Sequence, residues 1–406
     1  MDFFARLPSS ERMRIIYESL TALRCRSSAR PRDNFLMKLL RQILIVLVTT
    51  GLSAHAESAP ELSERTVDLG NDVSLRVIEA GQPASGVTLV LIPGWSTSAD
   101  IWREQINRFA ATYRVISFDP RSQGKSTITT TGNTPETRAQ DLHKLLDDLS
   151  VLRPVLIGWS QGVEDIAAYI DQYGTGDLSG IVLVDAALST GAEGMGARGA
   201  PQPAALFETF AIYQAHPQKY LADMMRAIVS KPQSNDAIEQ LVTTALKTPP
   251  DVGVAMRIAD TFGVNRTRVL KKIDCPTLII ASAKSGSLAQ QQAQTKQISD
   301  ARFEKVEDAA HAVFLDQPDR FNELVTSFVA AKLAPNADLK VARTATTPPP
   351  LVEIDQPVIP TLEQYRTAPK IVKARQRYKR VARVRTFWDK LRYGWIVEHP
   401  QYSKKK

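Results

Sequence analysis

Short apolar runs alternate with longer amphipathic stretches along the middle of this 406-residue chain. The apolar runs have the length and β-branched content of buried strands, whereas the longer stretches repeat their leucines and alanines at helical intervals. Strands that alternate with helices are joined by parallel crossovers, so the pattern predicts an α/β fold with a doubly wound, mostly parallel sheet. The predicted strands are residues 73–79, 87–92, 113–118, 155–157, 181–184, 277–280 and 303–306, and the clearest predicted helices are 135–149, 162–173 and 320–333.

The strand pattern stops between residues 188 and 268. This stretch has a helical pattern and is rich in alanine and methionine. Prolines interrupt it, and proline disrupts the interior of a helix. We interpret 188–268 as a helical cap inserted into a core made of residues 57–187 and 269–335. The interrupting prolines are Pro201, Pro203, Pro217, Pro232, Pro249 and Pro250.

The amino-terminal residues have the pattern of a targeting segment. A short basic stretch begins at Met37, an apolar run follows at 43–52, and small residues surround Ala56. The run is shorter than the ~20 residues that cross a bilayer, which favours a signal peptide at 37–56 and an exported protein, periplasmic or secreted. Residues 1–36 are then an extension ahead of the true start. The alternative is a cytoplasmic extension with a membrane anchor at 39–52.

Charge is distributed unevenly along the chain. Residues 57–335 carry a net charge of −7, while residues 1–56 and 336–406 carry +5 and +10. The basic character therefore belongs to the ends, and the predicted core has no excess positive charge to attract nucleic acid. We expect no nucleic-acid partner.

The carboxyl-terminal residues divide into a proline-rich linker, 336–369, and a basic tail, 370–406. Within the tail, residues 370–392 place apolar side chains at near-helical intervals among many lysines and arginines. Such a segment suits an anionic membrane surface or an acidic partner. A solvated tail without a partner is the alternative.

The motif that carries chemistry is Gly-Trp-Ser-Gln-Gly at residues 158–162. It follows a predicted strand and opens a predicted helix, which is the context of a nucleophile elbow. Glycines flank the serine because a tight, strained turn leaves no room for side chains there. Ser160 is therefore the candidate nucleophile. The alternative is a glycine-flanked loop serine without chemistry.

A serine hydroxyl needs a general base, and three histidines lie between residues 57 and 335. His143 lies within a predicted helix among charged residues, as a solvated side chain would. His216 precedes a proline in the predicted cap, which suits a loop residue or a pocket wall. His311 follows a predicted strand and precedes the last predicted helix, so we predict that His311 is the base.

Three other stretches agree with the serine motif in order and position. They are residues 91–95, 118–126 and 308–311, with the sequences Leu-Ile-Pro-Gly-Trp, Phe-Asp-Pro-Arg-Ser-Gln-Gly-Lys-Ser and Asp-Ala-Ala-His. Together with it they resemble the α/β-hydrolase family over about residues 65–333, in particular its esterase, haloperoxidase-like and lactonase members. Pro93, Ser122 and Ala310 depart from the family's pattern without removing a catalytic side chain.

The resemblance also implies where the remaining parts of the site lie. The oxyanion hole is expected from the backbone N–H groups of Gln161 and Trp95. The triad acid usually follows the strand at 277–280, but residues 281–287 contain no carboxylate. Asp185, at the end of the preceding strand, is our candidate. Asp119 is its rival, although its loop suggests a structural carboxylate near Arg121, and a Ser–His dyad is a further alternative.

Two classes of function remain open. One is a serine hydrolase that cleaves a small ester, lactone or related acyl substrate through an acyl-enzyme, with no cofactor and no metal. The other is a non-catalytic α/β-hydrolase scaffold that binds through its basic tail. A serine at position 160 argues against haloalkane dehalogenases and epoxide hydrolases, which need an aspartate there. Trp95 and Trp159 are expected near the site, as pocket walls or as ordinary packing residues.

Overall fold

The computed structural model describes residues 62–82, 86–194 and 203–332. These residues form an eight-stranded sheet with the strand order β1-β2-β4-β3-β5-β6-β7-β8. The strands are β1 (Leu62–Asp68), β2 (Ser74–Ala80), β3 (Thr88–Ile92), β4 (Arg114–Phe118), β5 (Val155–Trp159), β6 (Gly180–Val184), β7 (Thr277–Ser282) and β8 (Ala301–Val306). The helices are α1 (Arg103–Phe109), α2 (Pro135–Asp148), α3 (Gln161–Tyr173), α4 (Pro203–Ala215), α5 (Pro217–Ala227), α6 (Asn235–Ala245), α7 (Pro250–Phe262), α8 (Leu288–Thr295), α9 (Val313–Asp316) and α10 (Pro318–Lys332).

The sheet is parallel from β4 to β8 and antiparallel at its β1 and β2 edge. Successive residues of β3 point to opposite faces, so Leu89 and Leu91 join one apolar core while Val90 and Ile92 join the other. Helices α1 and α10 contribute to the first core, and α2 and α3 contribute to the second. The predicted α/β fold with a doubly wound, mostly parallel sheet is confirmed.

Several elements have no clear signature in the sequence pattern, because they are short or bury few apolar side chains. Strand β1 has the sequence Leu-Ser-Glu-Arg-Thr-Val-Asp and is mostly exposed along its length. As an edge strand it is defined by pairing with β2 and not by an apolar face. Helices α1 and α8 are short, and α8 buries two glutamines, Gln291 and Gln294, where a typical helix would bury leucines.

Among the described residues between β6 and β7, where the strand pattern stops, lie four α-helices, α4 to α7. Pro203, Pro217 and Pro250 are the first residues of α4, α5 and α7. Proline is tolerated in the first turn because its missing N–H would have no helical partner there. These prolines therefore begin helices, although the limits of a separate cap remain a prediction.

Several sequence predictions lie outside the described residues. They are the extension at 1–36, the signal peptide at 37–56, the linker at 336–369 and the tail at 370–406. Among the residues that are described, no helix combines the length and apolar character that a membrane span requires.

Candidate active site

Ser160 lies in a strained turn between β5 and α3. Its backbone has φ of 55° and ψ of −115°, a left-handed conformation that costs energy for a residue with a side chain. A Cβ at Gly158 would lie 2.4 Å from the Gly162 carbonyl oxygen, and one at Gly162 would lie 2.7 Å from the Ile92 carbonyl oxygen. Both glycines are therefore required for the turn to close, and the turn leaves Ser160 partly exposed at the carboxyl edge of the sheet.

His311 lies between Ser160 and Asp185 and is within hydrogen-bonding distance of both. Its Nε2 is 2.9 Å from Ser160 Oγ, and its Nδ1 is 2.8 Å from Asp185 Oδ2. Asp185 is buried directly after β6, and its second carboxylate oxygen accepts the Ser282 N–H at 2.8 Å. The three residues come from turns after β5, β6 and β8, so parallel strands bring them to one edge of the sheet.

Asp119 does not take part in the Ser160–His311–Asp185 contacts, because its carboxylate is bound by other groups. It is fully buried and accepts the backbone N–H groups of Ala99 and Lys125, each at 2.7 Å. Burial raises the pKa of its carboxyl group, although Arg76 lies 3.3 Å away. The expectation of a structural carboxylate agrees with these contacts, but the expected partner was wrong. Arg121 instead pairs with Asp141, because its guanidinium reaches helix α2.

Two further residues support the contacts of His311, Ser282 and Asp316, and neither is among the residues predicted from the sequence. Ser282 Oγ–H donates to the Ala309 carbonyl oxygen at 2.7 Å, which ties the end of β7 to the histidine loop. Asp316 is fully buried and accepts the N–H groups of Ala310 and Ser230, at 2.7 and 2.8 Å. Asp316 is the last residue of α9, and no pattern in the sequence shows that its carboxylate accepts from the backbone before His311.

Gly94 brings a second backbone turn against Ser160. A Cβ at Gly94 would lie 3.2 Å from Ser160 Cβ and 2.8 Å from the Trp159 ring. The N–H groups of Trp95 and Gln161 donate to no other residue within the described part of the chain. These are the two N–H groups predicted for the oxyanion hole, and both belong to turns that adjoin Ser160.

Both tryptophans near the site are buried and hydrogen-bonded. Trp159 Nε1–H donates to the His311 carbonyl oxygen at 2.9 Å, and its ring centroid lies 5.2 Å from the imidazole. Trp95 packs edge-on against Tyr213 of α4. Of the other histidines in the described ranges, His143 stacks on Tyr173, and His216 lies exposed at the start of α5. His311 is therefore the histidine that contacts Ser160.

A cavity of about 590 Å³ opens beside the imidazole of His311. Its lining is about equally polar and apolar, and its polar side chains include Lys284, Ser285, Ser287 and Ser230. His311 and Asp185 line this space, which is large enough for a small molecule, whereas Ser160 is not among its lining residues. No cluster of three or more His, Cys, Asp or Glu side chains suited to a metal ion occurs in the described ranges.

A buried cluster of charges underlies α3, the helix that follows Ser160. Arg138 of α2 pairs with Asp165 at 2.8 Å and with Asp260 at 2.7 Å. Glu164 lies 3.4 Å from Arg266 and accepts the Ser189 N–H at 2.7 Å. Burial raises the pKa of Glu164 to about 8, because the ionised carboxylate loses its hydration.

We expect stability to fall as the pH rises from about 5 to about 8, in part because of Glu164. Its folded pKa lies above the unfolded value, so the folded state holds a proton that the unfolded state has released. That difference costs about 1.4 kcal/mol per pH unit within this window. Glu164→Gln should remove this part of the decline, as measured by the thermal unfolding midpoint against pH. Glu239→Gln, at an exposed position on α6, is the control and should keep the wild-type slope; equal slopes in all three proteins would contradict the prediction.

The fold and this geometry define an alpha/beta hydrolase. The family model described as Alpha/beta hydrolase family matches residues 89–324, more than half of the chain, so the chain belongs to that family. A putative non-heme chloroperoxidase from Synechocystis sp. is 26% identical over 281 residues, covering 64% of this chain and 95% of that protein. A 3-oxoadipate enol-lactonase 1 from Acinetobacter baylyi is 23% identical over 266 residues, covering 62% of this chain and 92% of that protein. The crystal structure of the esterase RhEst1 from Rhodococcus sp. has a TM-score of 0.58 and 26% identity, covering 66% of this chain and 99% of that one.

Proposed function

We propose that this protein is a serine hydrolase that cleaves a small ester, lactone or related acyl substrate through an acyl-enzyme. The observation that carries the proposal is the pair of contacts made by His311. Its Nε2 lies 2.9 Å from Ser160 Oγ, and its Nδ1 lies 2.8 Å from Asp185 Oδ2. A serine, a base and an acid at these distances form the arrangement that activates a hydroxyl nucleophile.

In the proposed reaction, Ser160 Oγ attacks the acyl carbon while His311 Nε2 takes the hydroxyl proton. Asp185 holds the imidazole through Nδ1–H and stabilises the imidazolium that forms. The negative charge on the substrate oxygen is stabilised by the N–H groups of Trp95 and Gln161. His311 then gives its proton to the leaving oxygen as the C–O bond breaks. Water attacks the resulting acyl-serine by the same steps, and the acid is released with Ser160 regenerated.

The relatives support an acyl substrate and do not identify it. The similar proteins include one named as an enol-lactonase, one named as an esterase and one named as a putative chloroperoxidase. A fold shared across such chemistries leaves the choice of substrate to the pocket. A panel of short-chain esters and lactones is therefore the appropriate substrate screen.

The test of the proposal is labelling by a fluorophosphonate probe, which reacts only with an activated serine. We expect the full chain to be labelled at Ser160 and to hydrolyse members of the ester and lactone panel. Peptide mapping of the labelled protein locates the site. Absence of both labelling and turnover in folded protein would favour the non-catalytic scaffold instead.

An exported location is part of the proposal and depends on residues outside the described ranges. We expect the mature protein to begin at Glu57, because the small residues around Ala56 suit signal peptidase. Amino-terminal sequencing of protein from its native host gives the measurement. A mature chain that still begins at Met1 or Met37 would refute export with cleavage.

The basic tail supports a further proposal, association with an anionic membrane surface through residues 370–392. Deleting residues 370–406 should abolish salt-sensitive binding to anionic vesicles and leave the turnover of small esters nearly unchanged. Cosedimentation with vesicles of anionic and of zwitterionic lipid, at low and high salt, is the measurement. A full-length protein that stays in solution with anionic vesicles at low salt would contradict this proposal.

A further inference from the structure

Helix α7 contacts the side chains of both residues that are proposed to supply oxyanion N–H groups. The Nε1–H of Trp95 donates to the Gly253 carbonyl oxygen, 3.0 Å away. The Nε2–H of Gln161 donates to Asp260 Oδ2, 2.5 Å away. Gly253 and Asp260 are separated by about two turns, since a turn has roughly 3.6 residues, so both acceptors lie on one face of α7.

These contacts are buried, so they constrain the two side chains strongly. Trp95, Gln161 and Asp260 are 7%, 3% and 5% exposed. A hydrogen bond from a buried amide to a carboxylate is stronger than one between neutral groups, and breaking it leaves polar atoms without water. Neither side chain can therefore leave α7 without a substantial cost in free energy.

Asp260 is held in place by Arg138, which also bonds a residue of α3, the helix that follows Ser160. Arg138 donates to Asp260 at 2.7 Å and to Asp165 at 2.8 Å, and Asp165 lies on α3 one turn after Gln161. The guanidinium also balances the charge of Asp260, which would otherwise disfavour a negative oxygen near Ser160. The chain of contacts runs from α3 through Arg138 and Asp260 back to the first residue of α3.

The other end of α7 fits closely around Trp95. A Cβ at Gly253 would lie 2.7 Å from the Tyr213 hydroxyl oxygen, so the helix backbone approaches this ring as only glycine allows. Tyr213 in turn packs edge-on against Trp95, with ring centroids 5.1 Å apart. The position of the indole is therefore set by α7 and by α4 together.

We propose that Asp260 is a positioning residue for the oxyanion hole, and that α7 sets the spacing of its two N–H donors. An element that fixes the side chains of Trp95 and Gln161 also fixes the backbone that carries the donors. Asp260 touches no reacting atom and acts through Gln161. The inference rests on the proposed function, because the spacing of the donors matters only if an acyl group is attacked at Ser160.

The test compares turnover with the affinity for a transition-state analogue, a trifluoromethyl ketone. In Asp260→Ala, kcat for a p-nitrophenyl ester should fall by about 10- to 100-fold while KM changes by less than about threefold. The reason is that a displaced N–H group weakens the binding of the negatively charged oxygen in the transition state more than the binding of the substrate. The Ki of the ketone should rise by about the same factor as kcat/KM falls. Asp260→Asn keeps an oxygen that can accept from Gln161 but turns its NH2 group toward Arg138, so it should recover only part of kcat. Asp251→Asn, exposed on the same helix, is the matched control and should behave as wild type.

A second variant separates positioning from a general loss of fold. Gln161→Met keeps the backbone N–H and leaves the Asp260–Arg138 pair intact, so it should reproduce the loss of kcat in a protein that is still folded at the assay temperature. The double variant with Asp260→Ala should lose little more, since both changes break the same contact. Additive losses in the double variant, or an Asp260→Ala protein with unchanged kcat and Ki, would overturn the inference. The proposed function would still stand in that case if the wild type is active and is labelled by the probe. A folded wild type without turnover or labelling would overturn both.

Discussion

Ser160→Ala should abolish turnover of acyl esters, with kcat lower by about 10⁴-fold or more. The hydroxyl is the group that forms the acyl-enzyme, and neither His311 nor the oxyanion N–H groups can replace it. The fold should be unaffected, because Ser160 is only partly buried and its side chain fills no core. Turnover of a p-nitrophenyl ester, followed with the unfolding midpoint, is the measurement.

The control for this variant is Ser179→Ala, which should retain wild-type kcat. Ser179 directly precedes β6 and so lies at the opposite edge of the sheet from Ser160. The fluorophosphonate probe should label the control and the wild type but not Ser160→Ala. Esterase activity that persists in the pure Ser160→Ala protein would remove Ser160 from the mechanism.

Asp185→Asn should lower kcat by about 10²- to 10⁴-fold while the fold is kept. An asparagine retains an oxygen for the Ser282 N–H but presents an amide N–H toward His311 Nδ1. The imidazole then accepts at Nδ1 and carries its proton on Nε2, which is the wrong tautomer for taking a proton from Ser160. The measurement is kcat from pH 6 to pH 9, together with the rate of fluorophosphonate labelling, which should fall as well.

Asp177→Asn makes the same change at an exposed position and should leave kcat unaltered. A near-wild-type kcat in Asp185→Asn would remove Asp185 from the proposed triad. A Ser–His dyad would be the next interpretation, because Asp119 accepts no hydrogen bond from His311 and is occupied by two backbone N–H groups.

The elements that sequence analysis predicted well are those with a dense local pattern. Buried strands such as β3 and β6 consist almost entirely of aliphatic residues, and α2 repeats its leucines at helical spacing. Strand β1 has no such pattern, since its place is decided by pairing with β2 across a turn. Local pattern predicts an element only where the element itself buries an apolar face.

The sequence by itself indicated the buried strands of the sheet, the elbow at Ser160 and His311 as the candidate base, because each depends on residues close together in the chain or on a short list of alternatives. Asp185 was chosen because residues 281–287 lack a carboxylate, and its contact with His311 was not visible in the sequence. Only the tertiary structure decided that Arg76 and not Arg121 lies beside Asp119, and that α7 reaches Gln161 through Asp260. Such contacts join residues that are far apart in sequence, and a single hydrogen bond between them imposes no periodicity on either segment. Their geometry is set by how the packed helices and strands meet, which is a property of the whole fold.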